Sequence, residues 1–106
     1  MRQAQIFSNG IFAGILTEID SRNYIFRYDE SFLVDEMQTA ISLSFPKSQR
    51  EFISATLFPF FYNMLSEGAN KAVQCQSLKI DENDAFGLLI ATAHTDTIGA
   101  ITVKKI

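Results

Sequence analysis

The sequence is short of the residues from which catalytic and metal sites are built. It holds one cysteine, Cys75, and one histidine, His94. A single cysteine excludes an intramolecular disulfide, which fits a reducing compartment, and Cys75 reads as a small core residue. One Cys and one His, far apart in the chain, do not make a zinc site. No glycine-rich phosphate loop and no Walker lysine is present. The carboxylates of Asp-Glu-Asn-Asp at 81–84 lack the spacing of a calcium loop and read as a helix N-terminus. A nucleophile needs a base and an orienting group within hydrogen-bond reach. His94, the one strong candidate base, falls near the end of an expected helix, where a capping or surface role accounts for it. No catalytic residue, metal ligand or cofactor is therefore assigned.

Basic clusters and long apolar runs are also missing. Nine Lys and Arg stand against twelve Asp and Glu, for a net charge of −3, and only Lys104 and Lys105 are adjacent. Nucleic-acid binding draws most of its affinity from phosphate neutralisation, so direct DNA or RNA binding is not expected. No segment has the length of a membrane span, and the N-terminus carries no signal-peptide pattern. The expected location is the cytoplasm.

What is present is one domain's worth of chain: 106 residues, 47% apolar and 20% charged, enough for a core without staples. Asn9-Gly10 between two apolar runs predicts a hairpin over residues 2–18, since a type I′ turn needs φ > 0 at both central positions. Gly14 suggests a bulge or a close backbone approach. "NYIFRYD" predicts a strand with Tyr24, Phe26 and Tyr28 on one face. Asp29 would cap a short helix, "ESFLVDEM", with Phe32, Leu33 and Met37 inward. "AISLSFP" predicts a strand ended by Pro46, and "KSQRE" a solvated turn. A helix is expected from about Pro59 to before Gly68, another over 69–78 with Ala72, Val73 and Cys75 inward, and a third within "DENDAFGLLIATAH". Asp81 or Asn83 would cap the third, and Phe86, Leu89, Ile90 and Ala93 would form its buried stripe. "IGAITVKK" closes the chain as a strand whose lysines suit an edge. Strands first, helices next and a returning strand predict an α+β fold with an antiparallel sheet.

The densest feature is "FPFFYNMLSEGANK", residues 58–71. Pro59 suits a first helical position. Phe60 then pairs with Met64 and Phe61 with Leu65, while Tyr62 lies off both faces. Phe60, Phe61, Met64 and Leu65 read first as core. Tyr62 and Asn63 read as exposed, and exposed aromatics are common interface anchors.

These segments resemble the N-terminal subdomain of HipA-type toxins, the serine/threonine kinases of bacterial toxin–antitoxin systems. "NGIFAGIL" looks like the family's opening hairpin, and "YIFRYDESFL" its strand-then-helix segment. "AISLSFP" is similar to its Pro-Leu-Ser-Leu-Ser-Leu-Pro run, with Ala40 where proline is usual. "PFFYNMLSEG" resembles Pro-Phe-Phe-x-x-Leu-Leu-Pro-Glu-Gly, with Met64 for leucine and Ser66 for proline. "DAFGLLIATAHTDTIGAI" looks like the closing helix and strand, with "HTD" for Gly-Arg-Asp. The resemblance implies a barrel-like antiparallel sheet of about five strands with three to four short helices, spanning residues 1–106 as one domain.

A HipA-type kinase needs a second subdomain and a kinase core beyond this one, so none of its catalytic residues can be carried over. An isolated subdomain of this kind is similar to the HipS family, the small third component of tripartite HipBST systems. The resemblance then implies an antitoxin that is no enzyme itself and inhibits a shortened HipA-like kinase, HipT, in trans, with a helix-turn-helix HipB-like protein as a further partner. Phe61, Tyr62 and Asn63 would be anchors, and Ser66, Glu67, Gly68 and Lys71 polar contacts. Three other readings stand beside it: a piece of a full-length HipA-type kinase, an unrelated binding module or small enzyme, and a co-regulator contacting the helix-turn-helix protein.

Overall fold

The computed structural model describes residues 1–63, 65, 79, 84–92 and 101–106. Five strands form one antiparallel sheet: β1 (Arg2–Ser8), β2 (Ile11–Asp20), β3 (Asn23–Tyr28), β4 (Glu51–Ser54) and β5 (Ile101–Lys105). They lie side by side in the order β4-β3-β2-β1-β5. The short helices are α1 (Glu30–Val34), α2 (Pro59–Tyr62) and α3 (Ala85–Thr92). This is the expected α+β architecture.

The opening hairpin is as expected. Asn9 and Gly10 have φ of 52° and 80°, the left-handed pair that a two-residue turn demands. Gly14 answers to both sequence readings. Ile6 pairs with Gly14 and Phe7 with Phe12, so Ala13 is the extra residue of a bulge. Its carbonyl accepts the Asp29 N–H at 2.7 Å. A Cβ at position 14 would stand 2.3 Å from the Arg27 carbonyl oxygen, which only glycine avoids.

Alternation on β3 sends Tyr24, Phe26 and Tyr28 into the core, and Phe26 is the hub of an aromatic cluster. Its ring lies 4.9 Å from Phe45, 5.8 Å from Phe61 and 4.9 Å from Tyr28. Fully burying one such ring contributes about 1.5–3 kcal/mol. β5 returns beside β1, pairing Ile6 with Val103 and Gln5 with Lys104. Its lysines fall on the sheet edge, where they discourage further pairing.

Five expectations are corrected. Residues 40–46 are not a strand but a loop with turns. Ile41 and Phe45 are buried while Leu43 is fully exposed, so the alternation of the sequence is that of a pinned loop. The pin is Tyr28, whose hydroxyl donates to the Phe45 carbonyl and accepts the Ile41 N–H at 3.2 Å. The strand that pairs with β3 instead starts at Glu51, inside the segment expected to turn. α1 stops at Val34, and Met37, expected inside, is 87% exposed. Asp29 takes the N-cap position of α1, but its side chain makes no capping hydrogen bond. α2 ends at Tyr62, well short of Gly68. The expected helix over 69–78, with Cys75, and the residues Asp81, Asn83, Ala93 and His94 lie outside the described residues.

Candidate partner-binding site

The aromatic segment is organised by its proline. Pro59 stands at the first helical position, and Phe58, extended at φ −55° and ψ 137°, is the N-cap. The Phe58 carbonyl accepts the N–H groups of Phe61 at 3.0 Å and Tyr62 at 2.9 Å, and the Pro59 carbonyl that of Asn63 at 2.9 Å. One helical turn therefore holds four consecutive residues in fixed directions. Phe58 and Phe61 turn inward, and Phe60 is partly buried against the core. The Phe61 ring lies 5.6 Å from Phe45, 6.3 Å from Phe58 and 5.2 Å from Phe60.

That geometry sorts the expected anchors. Phe61 is 0% exposed, so its ring cannot touch a partner; it fastens the turn to the core instead. Tyr62 is 45% exposed, and Asn63 beside it is exposed. Ser66, Glu67, Gly68 and Lys71 lie outside the described residues. Leu65 is buried, as the core reading of that position expected.

Tyr62 and Asn63 line a groove of about 420 Å³ together with Tyr24, Leu57, Pro59 and Ala85. Its walls come from β3, α2 and the start of α3. The wall at Ala85 is held by a side-chain network that sequence reading missed. Arg2, at the start of β1, reaches the Asp84 carboxylate with two nitrogens, at 3.0 and 2.7 Å. The same guanidinium reaches Glu18 on β2 through Nε at 2.8 Å. Asp84 also accepts the Gly87 N–H at 3.1 Å, filling the helix-capping role. A Cβ on residue 87 would stand 2.2 Å from Asp84 Oδ2, which explains a glycine inside a helix, where it costs about 1 kcal/mol against alanine.

The network continues to the groove. The Tyr24 hydroxyl donates to Glu18 Oε2 at 3.1 Å. Hydrogen bonding from Arg2 holds the Asp84 carboxyl below its ordinary range, and burial raises the Tyr24 hydroxyl. Arg2 and Asp84 are 82 positions apart, so no local pattern could have paired them. The available signal was weak: an acidic residue beside a helix start, and a lone arginine at the head of a strand.

Among the described residues no group of three or more His, Cys, Asp or Glu could hold a metal ion. Among them, too, no helix is long and apolar enough to cross a membrane. What the candidate site offers is an aromatic helical turn with the Tyr62 ring and the Asn63 amide exposed beside a groove.

The five-stranded antiparallel sheet with its short helices defines a small α+β domain. The family model of the HipA N-terminal domain matches residues 4–104, and the chain belongs to that family. The solved N-terminal domain of a HipA toxin superposes with a TM-score of 0.76 and 30% identity, covering all of this chain and 93% of that one. An uncharacterized Haemophilus influenzae protein is 34% identical over 105 residues, which is 99% of this chain and 93% of that protein. A Sinorhizobium fredii protein described as "Putative kinase Y4mE" is 29% identical over 89 residues. That alignment takes in 84% of this chain but 21% of the larger protein. The family sets the chain in a toxin–antitoxin context.

Proposed function

We propose that this protein is an antitoxin of the HipS kind, which binds a shortened HipA-like serine/threonine kinase in trans and inhibits it. The observation that carries the reading is Tyr62: a half-exposed aromatic ring on a short helical turn that Phe61 fastens to the core. Two comparisons support it. One relative is matched over nearly its whole length, as a small protein would be. In the kinase-described relative the matching part is about a fifth of the chain, so the same domain occurs joined to something much larger. A free copy would occupy on the partner kinase the surface that the joined copy covers. Tyr62 and Asn63 would make the central contacts, and Ser66, Glu67, Gly68 and Lys71 the polar surround. A HipB-like helix-turn-helix protein would complete the assembly.

The test is direct. The protein and a shortened HipA-like kinase from the same genome are co-purified, and kinase autophosphorylation is measured with and without the protein. The parent should co-elute and suppress phosphorylation. Tyr62→Ala should weaken binding by at least about tenfold, the loss typical of an aromatic hot spot. Undiminished autophosphorylation at saturating parent protein sinks the inhibitor role, and equal inhibition by Tyr62→Ala sinks the assigned surface.

A further inference from the structure

Strand register sets four polar side chains in a row. Arg2 stands opposite Glu18, Glu18 opposite Tyr24, and Tyr24 opposite Ser54, so β1 to β4 each give one member. Residues directly opposite one another share a face of the sheet. Glu18 accepts from Arg2 Nε at 2.8 Å on one oxygen and from the Tyr24 hydroxyl at 3.1 Å on the other. At the far end the Ser54 hydroxyl accepts the Thr56 N–H at 3.2 Å. Tyr24 and Thr56 line the groove beside Tyr62, so the row runs from Arg2 to that groove. Ala85, one residue past Asp84, lines it too. Arg2 lines none of it, yet touches the supports of both the Tyr24 and the Ala85 walls.

What Arg2 supplies is positive charge between two acids. Its Nη2 lies 2.6 Å from Glu18 Oε1 and 2.7 Å from Asp84 Oδ1, so the two carboxylates converge on one nitrogen. The Glu18 side chain is 14% exposed and that of Asp84 34%, and water screens such a pair only in part. Without the guanidinium the acids repel. Asp84 also holds the Gly87 N–H, so its displacement carries the first turn of α3 with it, and α3 packs against α2.

We infer that Arg2 is a positioning residue for the Tyr62 groove: clasped by Glu18 and Asp84, it sets how closely the head of α3 approaches the Tyr24 wall, and with it the surface that a partner meets. The inference rests on the recognition reading of that surface, but the strut is testable without a partner. Removing the charge moves Ala85 away from Tyr24 and opens the groove. Linkage makes the coupling reciprocal, so a partner seated there steadies the Asp84 cap of α3.

Two variants separate charge from bulk. Arg2→Gln leaves both acids unneutralised. Arg2→Gln combined with Glu18→Gln removes the repulsion, and the new amide oxygen can still accept the Tyr24 hydroxyl. The Arg2 side chain is 38% exposed, so both variants should fold, and a dispersed amide spectrum checks it. In the 15N-labelled chain alone, Arg2→Gln should shift the amides of Gly87 and, on the α2 side of the groove, of Tyr62 and Asn63. The double variant should return Tyr62 and Asn63 towards the parent. Against the HipA-like kinase, Arg2→Gln should weaken binding at least about fivefold, and the double variant should recover most of that loss. Unmoved Tyr62 and Asn63 amides overturn the inference, as does parent-level affinity in Arg2→Gln. So does a double variant without recovery, which would leave Arg2 as packing over the Phe86 ring. A parent that does not bind the kinase counts against the antitoxin reading, and the amide shifts alone then decide the role of Arg2.

Discussion

Tyr28 shows how much one side chain can settle. Its ring fills the core against Phe26 and Phe32, and its hydroxyl serves one donor and one acceptor of a loop that has no ladder of its own. Burial raises the hydroxyl above its ordinary pKa, so it stays protonated and able to donate. Tyr28→Phe keeps the ring and strands a carbonyl and an N–H. Leaving such buried groups unpaired costs about 1–3 kcal/mol each. Urea denaturation should show a loss of at least about 2 kcal/mol, the two lower limits taken together, and amide exchange should quicken at Ile41 and Phe45 while β1 and β2 stay protected. Gly14→Ala makes a different case. The added methyl meets backbone, not a movable side chain, so β2 and β3 must separate at the bulge. A midpoint fall larger than that of Tyr28→Phe is expected, and a neutral Gly14→Ala would show that the close approach is not obligatory.

Among elements, the joint between α3 and the sheet rests on Arg2. Arg2 joins Glu18 on β2 to Asp84 at the head of α3 and passes 5.1 Å over the Phe86 ring. The Asp84 carboxyl is held below its ordinary 3.8 by Arg2, with a smaller contribution from the Gly87 N–H. A depressed carboxyl adds stability above its unfolded pKa, and that contribution is lost as pH falls through the folded value. Stability should therefore be level from neutral pH to about 4.5 and decline below 4. Asp20 is depressed in the same direction by the Arg22 N–H and the Asn23 side chain, so it shares the acid limb. Arg2→Gln should lower stability by about 1 kcal/mol at neutral pH, since the pair is partly exposed. It should also flatten, but not abolish, the decline below pH 4 in thermal melts. The contrast between elements also marks what was legible. The Asn9-Gly10 turn, the aromatic face of β3 and the Phe86/Leu89 stripe are local patterns, and each is where the sequence places it. Residues 40–46 alternate as a strand would, yet their partner is the Tyr28 hydroxyl, and β4 takes the place beside β3. Which of two nearby segments pairs with a strand is a long-range competition, and alternation carries no record of it.

For the whole molecule, the candidate segment was legible in the sequence, and the direction of each of its side chains was not. Proline at a helix start, rings in succession and an abrupt polar turn mark 58–71 as special. They do not say which ring faces out. That depends on where Phe26 and Phe45 close the core, which the packed fold alone fixes. Once packed, Phe61 and Tyr62 become neighbours with opposite exposure, and their truncations should separate. Phe61→Ala removes a ring with four aromatic neighbours and should cost about 3–5 kcal/mol. Any loss of kinase inhibition would then follow the fraction unfolded and be recovered by cooling or by excess protein. Tyr62→Ala exposes no comparable cavity, because nearly half of the residue already faces solvent. Its denaturant midpoint should stay close to the parent's while its affinity for the kinase falls. The two quantities, measured on the same samples, divide scaffold from contact. If Tyr62→Ala loses stability and affinity in the proportion seen for Phe61→Ala, the ring is another piece of core and the recognition surface lies elsewhere.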